Sequence, residues 1–405
     1  MNHQFNLIAV SKFGIESITA NELKKLGYTD LNVETGRINF KGDLNTIAKT
    51  NMWLRTAERI LINVGEFKAI SFEELFENVK SLPWEEWIPR NGEFPVTAKS
   101  VKSQLFSLSD CQSIAKKAIV ERLKSVYVST AKSKASVNDN ISEFRFPEDG
   151  PKYKINVGIL NDIVTMTIDT SGDGLHKRGY RILTGGAPIK ETLASAMIQL
   201  TKWKYDRVLV DPFCGTGTIP IEAAMWELNI APGFKREFIC EKWIQFCEDS
   251  NKDIWKCARE ETHDLIRKDK GILKIQGTDI DENSLSMARY HAKQAGVEAH
   301  IHFQKRDMLE LKSHYKYGFV ITNPPYGERL GEEQDIIKLY KEMGETFKKL
   351  DTWSFYIITS NKDFEKYFNR RADKKRKLYN GMLECDYYQF YGPRPSFRER
   401  ELLPI

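Results

Sequence analysis

Apolar and polar residues along this chain change rhythm near residue 184. Before that point short apolar runs and helical periodicities mix without regular alternation. Residues 5–10 read as a strand, and 14–26 as a helix, with Ile15, Ile18, Leu23 and Leu26 near helical spacing and Gly27 as its stop. Segments 31–34 and 37–40, split by Thr35-Gly36, read as a hairpin, 44–51 as a helix and 59–67 as a strand. The β-α-β-β-α-β order predicts a ferredoxin-like unit. A helix over 71–82, a strand over 94–100 and a long helix over 109–127, capped by Ser109, come next. Segments 153–160 and 163–169 then alternate as a hairpin turning at Asn161-Asp162, which completes a second α+β module.

Beyond 184, strands at 208–212, 273–278, 301–304, 318–322 and 353–359 alternate with helices at 190–203, 219–228, 283–295 and 335–350. Such alternation predicts a parallel α/β sheet. The charged stretch 231–270, with Trp243 and Trp255, is too long for a structureless loop and reads as a helical insertion. Tyr379, Tyr387, Tyr388, Phe390 and Tyr391 mark a final hairpin packed on the sheet. The expected domains are 1–67, 68–170 and 171–405.

Two stretches carry chemistry. Asp211-Pro212-Phe213-Cys214-Gly215-Thr216-Gly217-Thr218 follows an apolar strand and opens a helix. Glycines there let backbone approach a ligand, and the helix start offers free N–H groups, in the crevice where open α/β sheets bind ligands. The loop lacks the third glycine of a dinucleotide fingerprint, which disfavours a nicotinamide dehydrogenase, and no P-loop lysine follows. Asp279 ends the next strand, where a carboxylate can accept ribose hydroxyls, while Asp281 is better read as a helix cap. Asp307 is placed to accept from an adenine amine, or to act as a turn residue.

The second stretch is Asn323-Pro324-Pro325-Tyr326. An exocyclic base amine is a poor nucleophile because its lone pair is delocalised into the ring. The Asn323 side-chain carbonyl and the Pro324 backbone carbonyl can hold its two N–H groups and turn the lone pair toward an electrophile. The prolines stiffen the loop and Tyr326 can stack on an extruded base. Catalysis of this kind is positioning, with no strong base required.

On these residues the chain resembles class I S-adenosylmethionine-dependent amino-methyltransferases. The resemblance reaches back to Ala187-Pro188-Ile189-Lys190-Glu191-Thr192-Leu193-Ala194, similar to the motif that contacts the methionine end of the cofactor. As a whole the chain resembles THUMP-containing RNA methyltransferases, particularly the bacterial family that methylates guanine N2 in large-subunit ribosomal RNA. The resemblance implies a Rossmann-like catalytic domain behind ferredoxin-like and THUMP modules, and S-adenosyl-L-methionine as cofactor. It implies that Pro188, Glu191, Thr192, Asp211, Phe213, Cys214, Gly215, Gly217, Thr218, Asp279, Ile280, Asp307 and Met308 bind that cofactor. Asn323, Pro324, Pro325 and Tyr326 would hold the target amine. It also implies structured RNA, 23S rRNA or a precursor of the large subunit, as partner, and a single methyl-transfer domain.

Charge adds a modest basic balance, +5 over 405 residues, compatible with RNA without establishing it. Candidate phosphate contacts are Lys177, Arg178 and Arg181 at the join between modules, and Arg370, Arg371 and Lys374 in a basic run near the C-terminus. The six cysteines include no C-x-x-C pair, so neither a metal nor disulfides are expected. The amino-terminal residues do not form a secretory signal and no window is long enough for a membrane span, so a soluble cytoplasmic protein without membrane contact is expected. Adenine-N6 methylation of DNA or RNA, or RNA binding in ribosome assembly without catalysis, are the alternatives.

Overall fold

The computed structural model describes residues 4–134, 146–183, 188–327 and 333–396. Thr184, where the rhythm changes, and Ala187 of the cofactor motif lie outside the described residues. The chain opens with β1 (Phe5–Val10), α1 (Glu16–Lys25), β2 (Asn32–Glu34), β3 (Arg37–Gly42), α2 (Leu44–Trp53) and β4 (Arg59–Lys68). It continues through α3 (Phe72–Ser81), β5 (Val96–Val101), α4 (Leu108–Lys134), β6 (Lys154–Leu160) and β7 (Ile163–Asp169). Helix starts follow local chemistry. The Asp43 carboxylate accepts from the Thr46 N–H to cap α2, and the Ser71 hydroxyl accepts from the Glu74 N–H to cap α3. One cap differs from expectation: α4 begins at Leu108, so Ser109 lies inside the helix and the Ser107 hydroxyl donates to Asp110 instead. Asn161 and Asp162 take φ of 50° and 64°, the left-handed pair that a two-residue hairpin loop needs.

These strands form one sheet in the order β2-β3-β1-β4-β7-β6-β5. Strand β4 bonds β1 on one side and β7 on the other, so hydrogen bonding runs unbroken across the expected boundary at 67/68. A single apolar core lies under it, with Ile47 and Ile60 joined to Leu75, Ile119 and Val157.

The second half contains α5 (Glu191–Gln199), β8 (Leu209–Asp211), α6 (Thr218–Glu227), α7 (Ile244–Cys247), α8 (Ile254–Asp264), β9 (Ile275–Asp279) and α9 (Glu282–Ala295). It ends with β10 (Ile301–Lys305), β11 (Phe319–Thr322), α10 (Glu333–Lys348), β12 (Ser354–Thr359), α11 (Phe364–Phe368), β13 (Lys374–Asn380) and β14 (Leu383–Phe390). The sheet order is β10-β9-β8-β11-β12-β14-β13. Strands β8 to β12 are mutually parallel, and all four residues of β11 are buried, as expected for strands covered on both faces. Strand β14 runs antiparallel to both β12 and β13. Strand β13 therefore runs with the parallel set, and its turn into β14 falls at their carboxyl edge.

The insertion at 231–270 packs away from the catalytic sheet. Its Phe238, Trp243, Phe246 and Trp255 join the amino-terminal core. The Trp243 ring stacks on Tyr153 with centroids 4.7 Å apart, and its Nε1 donates to the Lys152 carbonyl over 2.9 Å. In return, Ile15 and Ile18 of the first module pack into the catalytic core. The join between halves is thus a mutual exchange of side chains.

Candidate functional site

Order reverses at β8, whose neighbours β9 and β11 carry the chain away in opposite directions, and a crevice opens there. From β8 the chain turns through 211–217 into α6. Gly215 has φ +50°, and nothing lies within 4 Å of where its Cβ would be, so bare backbone faces open space. Its N–H donates to Asp279 Oδ2 over 2.9 Å, which ties the glycine loop to the tip of β9. Gly217 has a different reason to be glycine. It takes φ +83° before α6, and a Cβ would come within 3.0 Å of Ala288 and Phe303. The missing side chain there lets α6 pack against Ala288 and Phe303.

A cavity of about 1240 Å³ lies over this edge. Its lining brings together Pro188, Phe213, Gly215, Asp279, Ile280, Asp307 and Met308 of the expected cofactor set, with all of Asn323, Pro324, Pro325 and Tyr326. Asp281 caps α9 through the Asn283 and Ser284 N–H groups, as expected. Asp307 lines the cavity and also accepts from the Leu309 N–H over 2.9 Å, so it serves as turn residue as well.

Six expected cofactor residues do not line the cavity. Besides Gly217, Cys214 is buried against Gly277, where only a residue without Cβ leaves room for its sulfur. Asp211 is buried behind the wall: it accepts from the Thr322 hydroxyl over 2.6 Å and from the Phe213 N–H over 3.2 Å. It braces the glycine loop to the strand that carries Asn323. Burial, more than the nearby Asp279 charge, pushes its carboxyl up to about 7. Glu191 pairs at 3.2 Å with Arg181, whose other guanidinium nitrogen donates to the Thr218 hydroxyl. The Thr192 hydroxyl donates to Glu58 of the amino-terminal half over 2.7 Å. These three residues form the seam beneath the site.

One expected RNA contact is corrected. Arg178 is 2% exposed, paired with Glu222 and donating to the Leu175 and Arg55 carbonyls, so no phosphate can reach it. Arg181 bonds Glu191 and Thr218 but keeps a partly exposed side chain on a second cavity that Lys177 and Lys190 also line. Both sit in a cationic stretch whose exposed partner, Lys177, lies 3.3 Å from Asp173 at the surface. Arg370, Arg371 and Lys374 are exposed, but Lys374 opens β13 and Asn380 at the cavity closes it. Six residues of strand put Lys374 ~20 Å from Asn380.

Sequence reading missed Lys190, Leu339, Glu342 and the whole 380–383 turn on the cavity wall. Lys190 stood inside a recognised motif, and Asn380-Gly381 was legible as a turn. Neither signal says which edge of a sheet it will meet. The Tyr326 hydroxyl donates to Asn323 Oδ1 and is approached by Asn380 Nδ2 at 3.5 Å. Burial raises the Tyr326 pKa, so the phenol stays protonated as a donor. Among the described residues no group of side chains could hold a metal, and no helix is long and apolar enough to cross a membrane.

A family model described as the RMKL-like methyltransferase domain matches residues 178–389. The chain belongs to this methyltransferase family. The RlmL ferredoxin-like domain matches residues 6–61 and the THUMP domain residues 69–169 of the same methyltransferase. A Bacillus subtilis (strain 168) protein named Putative RNA methyltransferase YpsC is 47% identical over 399 residues, covering 98% of this chain and 99% of its own. A solved structure named as a predicted N6-adenine-specific DNA methylase, from Listeria monocytogenes str. 4b F2365, is 47% identical with TM-score 0.87. It covers 96% of this methyltransferase and 97% of that chain. SMU.472, solved in complex with SAH, is 44% identical with TM-score 0.89, over 98% of this chain and 100% of that one.

Proposed function

We propose that this methyltransferase uses S-adenosyl-L-methionine to methylate an exocyclic base amine of RNA, namely guanine N2 of 23S rRNA, in the cytoplasm. The observation that carries the reading is a pairing across one cavity. Asn323 Oδ1 accepts a hydroxyl hydrogen on the wall that Gly215 and Asp279 also line. An acceptor already satisfied by an O–H there can equally accept an amine N–H.

The residues fit the cofactor. The open backbone at Gly215 leaves room for close approach, Asp279 offers a carboxylate to ribose hydroxyls, and Phe213, Ile280 and Met308 supply apolar walls. When bound, it supplies an electrophilic methyl group. The chain's own part is to hold the amine by Asn323 Oδ1 and the Pro324 carbonyl, orient its lone pair toward that methyl, and stack the base on Tyr326. Orientation of this kind lowers the barrier without a strong base. The THUMP and ferredoxin-like modules would grip structured RNA, with Lys177 and the more distant Arg370, Arg371 and Lys374 at phosphates.

Labelled methyl transfer to ribosomal RNA from a strain lacking this protein tests the reading, with nucleosides identified by mass. Label is expected in N2-methylguanosine. Label in N6-methyladenosine changes the base and keeps the mechanism. Label only in DNA favours a second reading, suggested by the name of the Listeria relative.

A further inference from the structure

The turn after β13 brings to the cavity an amide that neither sequence motif supplies. Asn380 closes β13, lines the cavity, and donates from Nδ2 to the Tyr326 hydroxyl over 3.5 Å. That hydroxyl in turn donates to Asn323 Oδ1. Two amides, 57 residues apart in the chain, therefore flank one hydroxyl. Among the described residues the only hydrogen bond of the Asn380 side chain is that donation, which leaves Oδ1 an available acceptor.

The turn itself does not ask for asparagine at this position. Its left-handed residue is Gly381, with φ +67°, whereas Asn380 is paired with Leu383 in the strand. A glycine at the first loop position is what a two-residue hairpin of this type requires. The amide at 380 is thus free to serve the cavity.

A base edge bound by the two amides would take the place that the Tyr326 hydroxyl holds between them. The base edge that enters presents the target amine to Asn323 and the adjoining ring nitrogen to the other side. A guanine entering by its Watson–Crick edge presents beside N2 the ring N1, which carries a hydrogen and needs an acceptor, while N3 on the other flank of N2 carries none. In adenine the N1 beside N6 carries none and needs a donor. An asparagine amide can offer either end, and the base fixes which one.

We propose that Asn380 reads the ring nitrogen beside the target amine, accepting guanine N1–H on Oδ1, and so fixes the base edge in register with Asn323. The inference rests on the guanine reading above. It makes Asn380 a residue that positions the base, while Asn323 holds the reacting amine. Aspartate keeps the acceptor and lacks the donor, which separates the two bases.

The test compares wild type, Asn380→Asp and Asn380→Ala on ribosomal RNA from a strain lacking the protein, with SAH binding measured alongside. For N2-methylguanosine, kcat/KM of Asn380→Asp is expected within about threefold of wild type, and that of Asn380→Ala lower by about tenfold or more. SAH affinity should be unchanged in both. Equal loss in the two variants, wild-type rates in both, or a parallel loss of SAH affinity overturns the proposal. If wild type makes N6-methyladenosine instead, the guanine reading alone has failed. Asn380 must then present Nδ2, so abolition by Asn380→Asp retains its role as reader and a wild-type rate removes it.

Discussion

The two seven-stranded sheets of this protein differ in direction, and that difference divides their work. In the amino-terminal sheet all neighbours except β5 and β6 are antiparallel, so strand ends alternate between edges. In the catalytic sheet β8 to β12 are parallel, and β13 joins them because β14 reverses. Every loop after those strands meets at one edge, which therefore collects Gly215, Asp279, Asp307, Asn323 and Asn380. The first sheet offers surface, and the second offers a crevice. What joins them is an exchange of apolar side chains with a buried ion pair beside it: Arg178 and Glu222 are at most 1% exposed in their side chains.

That contrast predicts where substitutions should hurt and how. The largest expected effect is at the seam. Arg178→Ala strands the Glu222 carboxylate in the interior and should cost about 3–5 kcal/mol in urea unfolding. A loss below about 1 kcal/mol would show that the seam is not a buried ion pair in solution. At the crevice, Asn323→Ala should lower kcat about 100-fold, near 2.7 kcal/mol of barrier, with SAH affinity and urea midpoint unchanged. A normal rate would revive a non-catalytic RNA-binding role.

Asp211 connects stability to the site. Its folded pKa, about 7, stands above the unfolded value near 4, so the folded protein holds a proton that the unfolded chain releases. Stability should therefore fall as pH rises from about 4 to 7, by at most ~1.4 kcal/mol per unit from this group, and level off above. Asp211→Asn should flatten that slope in unfolding curves across the window, and an unchanged slope would assign it elsewhere. A smaller change is expected from Asp279→Ala, about tenfold in SAH affinity by calorimetry, or ~1.4 kcal/mol. Smallest of all, Lys177→Ala should raise KM for RNA less than about threefold and reduce the salt dependence of binding by about one unit of slope. No change in slope would remove Lys177 from the RNA surface.

The chemistry of the crevice was more legible in the sequence than its walls. Asp279, Asp307 and Asn323 to Tyr326 stand at strand ends that short apolar runs already marked, and all of them line the cavity. The six motif residues that do not line it share one cause. Gly217, Cys214, Asp211, Glu191, Thr192 and Thr218 lie in the same motifs, but they face packing or the seam. A motif names neighbours in sequence, and alternate residues around a tight turn point in opposite directions. Arg178 misled differently. Glycines and cations suggested a solvated join, while the partner that buries Arg178, Glu222, comes later in the chain.

Local pattern alone determined the strands, helices, hairpin turns and loop chemistry, because propensity, capping and left-handed turns act over a few residues. It also determined which half carries the crevice, since alternation of strands with helices forces parallel pairing. Only the tertiary structure decided that β4 and β7 fuse the two amino-terminal modules into one sheet, that the insertion joins their core, and that the 380–383 turn closes the cavity. Each of these depends on pairing between residues far apart in the chain. Burial and strand direction set such pairing, and neither is written at the positions they bring together.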